Sequence, residues 1–152
     1  MGQLDKLLLA AIGEKDLGGI ERLIRLGADV NARVEGMPIL HIAVVNAMTP
    51  VVERLIAAGV DVHACDADGR TALALGAWVG STPEHVRILD QLLAAGADPN
   101  PRDNQGRQPI DWAAQFLNRQ MVNWLIAAGV TPSALARQFL AQSSDKEGPL
   151  LP

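Results

Sequence analysis

The chain has 152 residues, 49% of them hydrophobic and 20% charged, with a formal net charge of −4. That is enough apolar material for one domain, and too acidic a balance for general nucleic-acid binding, which wants a strongly basic face. Aromatics make up only 3% and tyrosine is absent, so the core must come from Leu, Ile, Val and Ala; the wealth of Ala and Leu points to helix.

The one cysteine, Cys65, leaves no partner for an internal disulfide and suits a reducing compartment. No apolar run approaches the ~18 residues of a membrane span. The start, Met1-Gly2-Gln3-Leu4-Asp5-Lys6, has no basic leader and lacks the Ser/Thr that a myristoylation signal wants at position 6. A cytoplasmic protein is expected; secretion by a signal-independent route would leave no trace here.

In chain order, Leu4, Leu7, Leu8 and Ala11 share one helical face. Gly13 and Gly18-Gly19 interrupt the pattern, and Ile20, Leu23 and Ile24 open a second face that ends at Gly27. The second unit places a helix from Pro38 through Leu40, Ile42 and Ala43. Thr49-Pro50 then supplies an N-cap and a first-turn proline for the next helix, with Val51, Val52, Leu55 and Ile56 on its apolar face. In the third unit, Asp68-Gly69 makes a turn, Thr71 opens one helix and Thr82-Pro83 opens another. Four extra residues between that second opener and its glycine predict an outer helix about one turn longer than its counterpart. The fourth unit places helices at Pro109–Ala114 and around Met121–Ile126, and Thr131-Pro132 starts one further short helix.

The four units end alike. Gly27, Gly59, Gly96 and Gly129 are separated by 32, 37 and 33 residues, and each follows a Leu/Ile-rich run. Between units the strings Gly27-Ala28-Asp29-Val30-Asn31-Ala32, Gly59-Val60-Asp61-Val62-His63-Ala64 and Gly96-Ala97-Asp98-Pro99-Asn100-Pro101 recur. A period near 33 predicts stacked copies of one helix-turn-helix unit, none able to bury its apolar face alone.

These residues resemble the ankyrin repeat. Gly36-Met37-Pro38-Ile39-Leu40-His41-Ile42-Ala43 keeps the Gly, Leu, His and Ala of that family's helix opener. Gly69-Arg70-Thr71-Ala72-Leu73 keeps Gly, Thr and Leu, and Gly106-Arg107-Gln108-Pro109-Ile110-Asp111-Trp112-Ala113 keeps Gly, Pro and Ala. The resemblance covers roughly residues 4–130. It implies an all-α solenoid with units of about 4–33, 34–65, 66–102 and 103–130, joined by β-turn or hairpin links. A capping helix is expected over 132–141, closing one domain of 1–142, and a flexible tail over 143–152. It further implies that His41 bonds the backbone of a neighbouring hairpin, and that the late part of each inner helix faces a concave groove.

Candidate chemistry is sparse. His63-Ala64-Cys65-Asp66 lacks the paired spacing of a zinc site, the glycines end helices where a phosphate loop would open one, and no nucleophile or carboxylate pair appears. No catalytic residue, metal or cofactor is assigned; Asp61, Asp66, Asp68 and Asp103 read as turn formers. Trp112 and Trp124 fall at packing positions. Trp78 and Phe116, with Val45 and Val79, fall where the resemblance places the groove, and for Trp78 both an exposed and a packed placement stay open. Met37, Arg70, Arg102 and Arg107 map to the flanking hairpin tips, giving an apolar centre with an arginine rim. The expected function is non-catalytic binding of a protein partner by a monomer, with the arginines orienting an acidic or polar segment. An inhibitor or immunity protein that masks a toxin or enzyme is the alternative, and a secreted effector a further one.

Overall fold

The computed structural model describes residues 2–80 and 82–144. Four antiparallel helix pairs stack: α1 (Gln3–Glu14) with α2 (Leu17–Arg25), α3 (Ile39–Val45) with α4 (Thr49–Ala57), α5 (Ala72–Val79) with α6 (Pro83–Ala94), and α7 (Pro109–Gln115) with α8 (Arg119–Ala127). A last helix, α9 (Ala134–Ser144), lies against α7. Helices α3, α5, α7 and α9 follow one another in an inner layer, and α2, α4 and α6 in an outer one. The fold is an all-α solenoid.

The repeating glycines end the outer helices for a physical reason. Gly27, Gly59, Gly96 and Gly129 have φ of 93°, 79°, 92° and 90°, a left-handed conformation that costs a side chain dearly. Each glycine N–H donates to the carbonyl of Ile24, Ile56, Leu93 or Ile126. The N–H one residue later donates to Leu23, Leu55, Leu92 or Leu125. Two stranded carbonyls are thereby satisfied at each helix end.

The core follows the same register. Leu40, Leu73 and Ile110 are buried at equivalent places on the inner helices, as are Leu55, Leu92 and Leu125 on the outer ones. Each such side chain contributes roughly 1.5–3 kcal/mol by leaving water, and all six belong to one buried cluster. Helix α6 has 12 residues against 9 in α4 and α8, the extra turn expected from the spacing.

Local starts depart from expectation in three places. Gly18 and Gly19 do not interrupt a helix but form the first turn of α2, where Asp16 accepts from the Gly19 N–H at 2.9 Å. A Cβ at Gly19 would lie 2.3 Å from that carboxylate, which explains the glycine. Helix α4 begins at Thr49 with Met48 as its cap, because the Met48 carbonyl already accepts from Val51 and Val52. Helix α9 begins at Ala134, capped by the Ser133 hydroxyl, which accepts from the Ala136 N–H at 3.0 Å. Thr131 and Pro132 stay in the link, and the helix continues to Ser144; the rest of the expected tail lies outside the described residues.

The links form a ladder. Asp29, Asp61 and Asp98 each accept from the N–H two residues on. The Asp61 N–H donates to Asn31 Oδ1 of the previous link at 2.8 Å. Beyond the links project hairpin fingers. The first contains the short strands β1 (Arg33–Val34) and β2 (Met37–Pro38), paired antiparallel; the second is closed by a bridge between Cys65 and Thr71.

Candidate protein-binding surface

The fingers of units three and four are built alike. Asp66 Oδ1 accepts from the N–H groups of Asp68 and Arg70, and Asp103 Oδ1 from those of Gln105 and Arg107. The other carboxylate oxygen takes the arginine side chain: Arg70 Nε donates to Asp66 at 2.8 Å, and Arg107 Nε to Asp103 at 2.9 Å. Arg70 also pairs with Asp68 at 2.7 Å. The two fingers then lock together, with the Asn104 N–H donating to the Asp68 carbonyl at 2.9 Å.

These aspartates are strongly held. Burial alone pushes the Asp66 carboxyl up. The hydrogen bonds from the Arg70 backbone and side chain, and its charge, outweigh that and keep the group below the ordinary carboxylate value. Asp103 behaves alike: burial raises it, and the bonds from Arg107 and Gln105 win.

Across the guanidinium groups lies an aromatic cluster. Arg70 sits 5.4 Å from the ring centre of Trp78, and Arg107 3.8 Å from that of Trp112, within reach of a cation–π attraction. The rings meet one another: Trp78 to Trp112 at 5.2 Å, Trp78 to Phe116 at 5.9 Å, and Trp112 to Phe116 stacked at 6.4 Å. Trp112 is buried, Trp78 half-buried, and Phe116, at the C-cap of α7, is 53% exposed. Trp78 is thus packed on one side and open on the other.

Of the other candidate residues, Val45 is exposed at the end of α3, Val79 half-buried at the end of α5, and Met37 half-buried in β2. Arg102 is exposed, and one of its amino groups donates to the Gly106 carbonyl of its own finger at 2.7 Å. The structure therefore brings Arg70, Trp78, Arg107 and Phe116 into one connected group. It leaves Met37 and Val45 on the neighbouring second unit. The positive charge expected at the rim is internally matched: Arg70 and Arg107 are ion-paired to aspartates.

Four residues here are not singled out as part of the site by the sequence. Trp112 was read as core, yet it is the ring on which both others lean. Asp66 and Asp103 were read as turn formers, which they are, but they also hold the arginines; the Asp-x-x-x-Arg spacing in both fingers was the available signal. Leu117, 73% exposed beside Phe116, carried no signal. A cavity of about 350 Å³ adjoins Phe116 and is lined further by Pro83, Val86, Asn118 and Met121.

Two of the histidines, His41 and His85, serve structure. His41 is buried and its Nε2–H donates to the Arg70 carbonyl at 2.9 Å, the contact with the next hairpin that the resemblance implied. Burial lowers its pKa from the ordinary histidine value. His85 is buried with Nδ1 at 2.9 Å from the Thr82 hydroxyl. His63 and Cys65 are exposed. Among the described residues no group of His, Cys, Asp and Glu is placed to hold a metal ion, and no helix is long and apolar enough to cross a membrane.

Comparison with known proteins agrees with the stack. The family model described as ankyrin repeats (3 copies) matches residues 7–103 and 40–135. The chain is 27% identical over 184 residues to tyrosine-protein kinase HTK16 of Hydra vulgaris, covering 97% of this chain and 24% of that protein. It is 31% identical over 171 residues to rabankyrin-5 of Homo sapiens, covering 98% of this chain and 14% of that protein. A shorter match, 33% over 64 residues, joins 42% of the chain to 3% of ankyrin repeat domain-containing protein SAT10 of Stachybotrys chartarum. The chain thus spans about a quarter or less of the length of these relatives. With glycine-capped helix pairs, linking ladders and interlocked fingers all at the matched positions, the chain belongs to the ankyrin-repeat family.

Proposed function

We propose that this chain is a non-catalytic module that binds a protein partner through the face made by its inner helices and finger tips, centred on units three and four. Ankyrin repeats are in general protein–protein interaction modules. The observation that carries the choice of site is Phe116: a phenyl ring 53% exposed, yet held by two tryptophans. Water contact with such a ring is unfavourable, and aromatic side chains fixed in place are the usual anchors of interfaces. Val45, Val79, Trp78 and Leu117 extend the apolar surface, Met37 flanks it on the second unit, and Arg102 lies at its polar rim. Arg70 and Arg107 lie over the tryptophan rings and are ion-paired to aspartates, so the partner makes its main contact with apolar surface. Packing of α9 against α7 covers one end of the stack and supports a monomer.

The test is affinity capture from native lysate with the wild-type chain beside Phe116→Ala. Phe116 caps α7 through its backbone and is 53% exposed, so the variant should keep the wild-type helix content and lose only about 1 kcal/mol from its contacts with the two tryptophans. A protein retained by the wild type and lost by the variant supports the reading. Equal retention by both moves the site elsewhere.

A further inference from the structure

The side chains that hold the aromatic face come as two copies of one arrangement, one on each side of a repeat boundary. In unit three a carboxylate, Asp66, grips Arg70, and the guanidinium lies over Trp78. In unit four Asp103 grips Arg107, and the guanidinium lies over Trp112. The columns join where the two indoles meet at 5.2 Å, and Phe116 leans on both. The side chains of Asp66 and Asp103 are 5% and 1% exposed, whereas those of Arg70 and Arg107 are 17% and 28% exposed. The carboxylates are therefore fixed points, and the guanidiniums reach from them towards the rings. An arginine freed from its carboxylate would carry its charge out to water along a flexible stem.

We propose that Asp66 and Asp103 are positioning residues of the aromatic face, each acting through its arginine to hold one indole, so that Trp78, Trp112 and Phe116 stand as one block across units three and four. The consequence for binding rests on the function proposed above: rings already fixed lose less side-chain freedom when a partner covers them. The positioning itself is a property of the free protein and can be read without any partner.

Each aspartate also organises its own finger, through the backbone N–H groups bound to Oδ1, so a simple loss of structure must be separated from positioning. Asn at either place retains an oxygen for those N–H groups and removes the charge that grips the arginine. The experiment uses the Trp124→Phe background, so that Trp78 and Trp112 alone report, and reads the near-ultraviolet circular dichroism couplet between their tilted, contacting rings. Asp103→Asn and Arg107→Met are compared singly and together as a double-mutant cycle. The expected result is that each single substitution loses most of the couplet while far-ultraviolet helix signal is kept, and that the pair loses no more than either alone. A couplet unchanged in Asp103→Asn overturns the proposal, as does an equal further loss when Asp103→Asn is added to Arg107→Met, since the aspartate would then act through its finger. If the unit-four variants lose helix signal, the cycle of Asp66→Asn with Arg70→Met is run in an Asp68→Asn background, because Asp68 also pairs with Arg70 at 2.7 Å, and is judged by the same two outcomes. Failure here is distinct from failure of the binding site: an uncoupled cycle removes positioning even where Phe116→Ala abolishes capture. A coupled cycle upholds positioning even where Phe116→Ala leaves capture intact.

Discussion

Leu117 holds φ at 56° with 73% of its surface in water, a left-handed conformation that strains any side chain carrying a Cβ. Nothing in its packing repays that strain. Leu117→Gly is expected to stabilise the fold by about 0.5–1 kcal/mol, the relief slightly exceeding the extra freedom glycine gains when unfolded. A urea midpoint that rises at constant slope would show it; an unchanged or lower midpoint would show that the turn is not strained. Gly69 poses the reverse case. Its φ is 77°, and a Cβ there would lie 2.4 Å from Asn104 Oδ1 and 2.9 Å from the Asn104 backbone nitrogen. Gly69→Ala should cost about 1–3 kcal/mol, part from the backbone and part from pushing the two fingers apart. The same urea titration measures it, and a neutral result would mean the fingers are not locked. The first site could not be read from the sequence, because the left-handed residue is a leucine and the asparagine beside it, Asn118, serves as the N-cap of α8. The second was legible as a turn, while the neighbour pressing on it was not.

At the scale of elements, the outer helices were the most legible part. Their glycine caps announce themselves, and the four-residue excess before Gly96 translated directly into the longer α6. Helix starts were less legible: Thr49 resembles a cap, but the Met48 carbonyl takes that place, and α9 starts beyond Thr131-Pro132 because Ser133 offers the hydroxyl. For the aromatic cluster, the sequence placed Trp78 late in α5 and Phe116 at the end of α7 but left the role of Trp112 hidden, since a helical register gives a residue's face and not its neighbours across a repeat. The fingers carry a pH prediction. Asp66 and Asp103 have folded pKa values below their unfolded ones, so the unfolded chain takes up protons first on acidification. Their stabilisation is complete above about pH 4 and is lost as the pH falls further, towards the folded values. His41 has the same sign, because burial depresses its pKa: its contribution is complete above about pH 6.5 and fades below it. Stability between pH 7.5 and 5.5 should therefore fall in the wild type and fall less in His41→Gln, measured by urea midpoints. A parallel decline in both would remove His41 from this role.

The whole molecule is a short stack in which each pair is stable only on its neighbours. Leu73 is fully buried in α5, at the middle of the stack. Leu73→Ala should cost about 3 kcal/mol and lower the stability of every unit together. Helix signal and tryptophan emission would then lose structure at one common midpoint; two separated midpoints would mean that the units unfold independently. The aromatic face spans units three and four, so substitutions in the core cannot be used to argue about binding. Phe116 can, because it lies on the surface. The decisive measurement is the affinity of a captured partner for the wild type and for Phe116→Ala, taken beside their unfolding midpoints. The account predicts stabilities within about 1 kcal/mol of each other and an affinity lower by about 2 kcal/mol or more, roughly thirtyfold. Equal affinities in two equally folded proteins would contradict it.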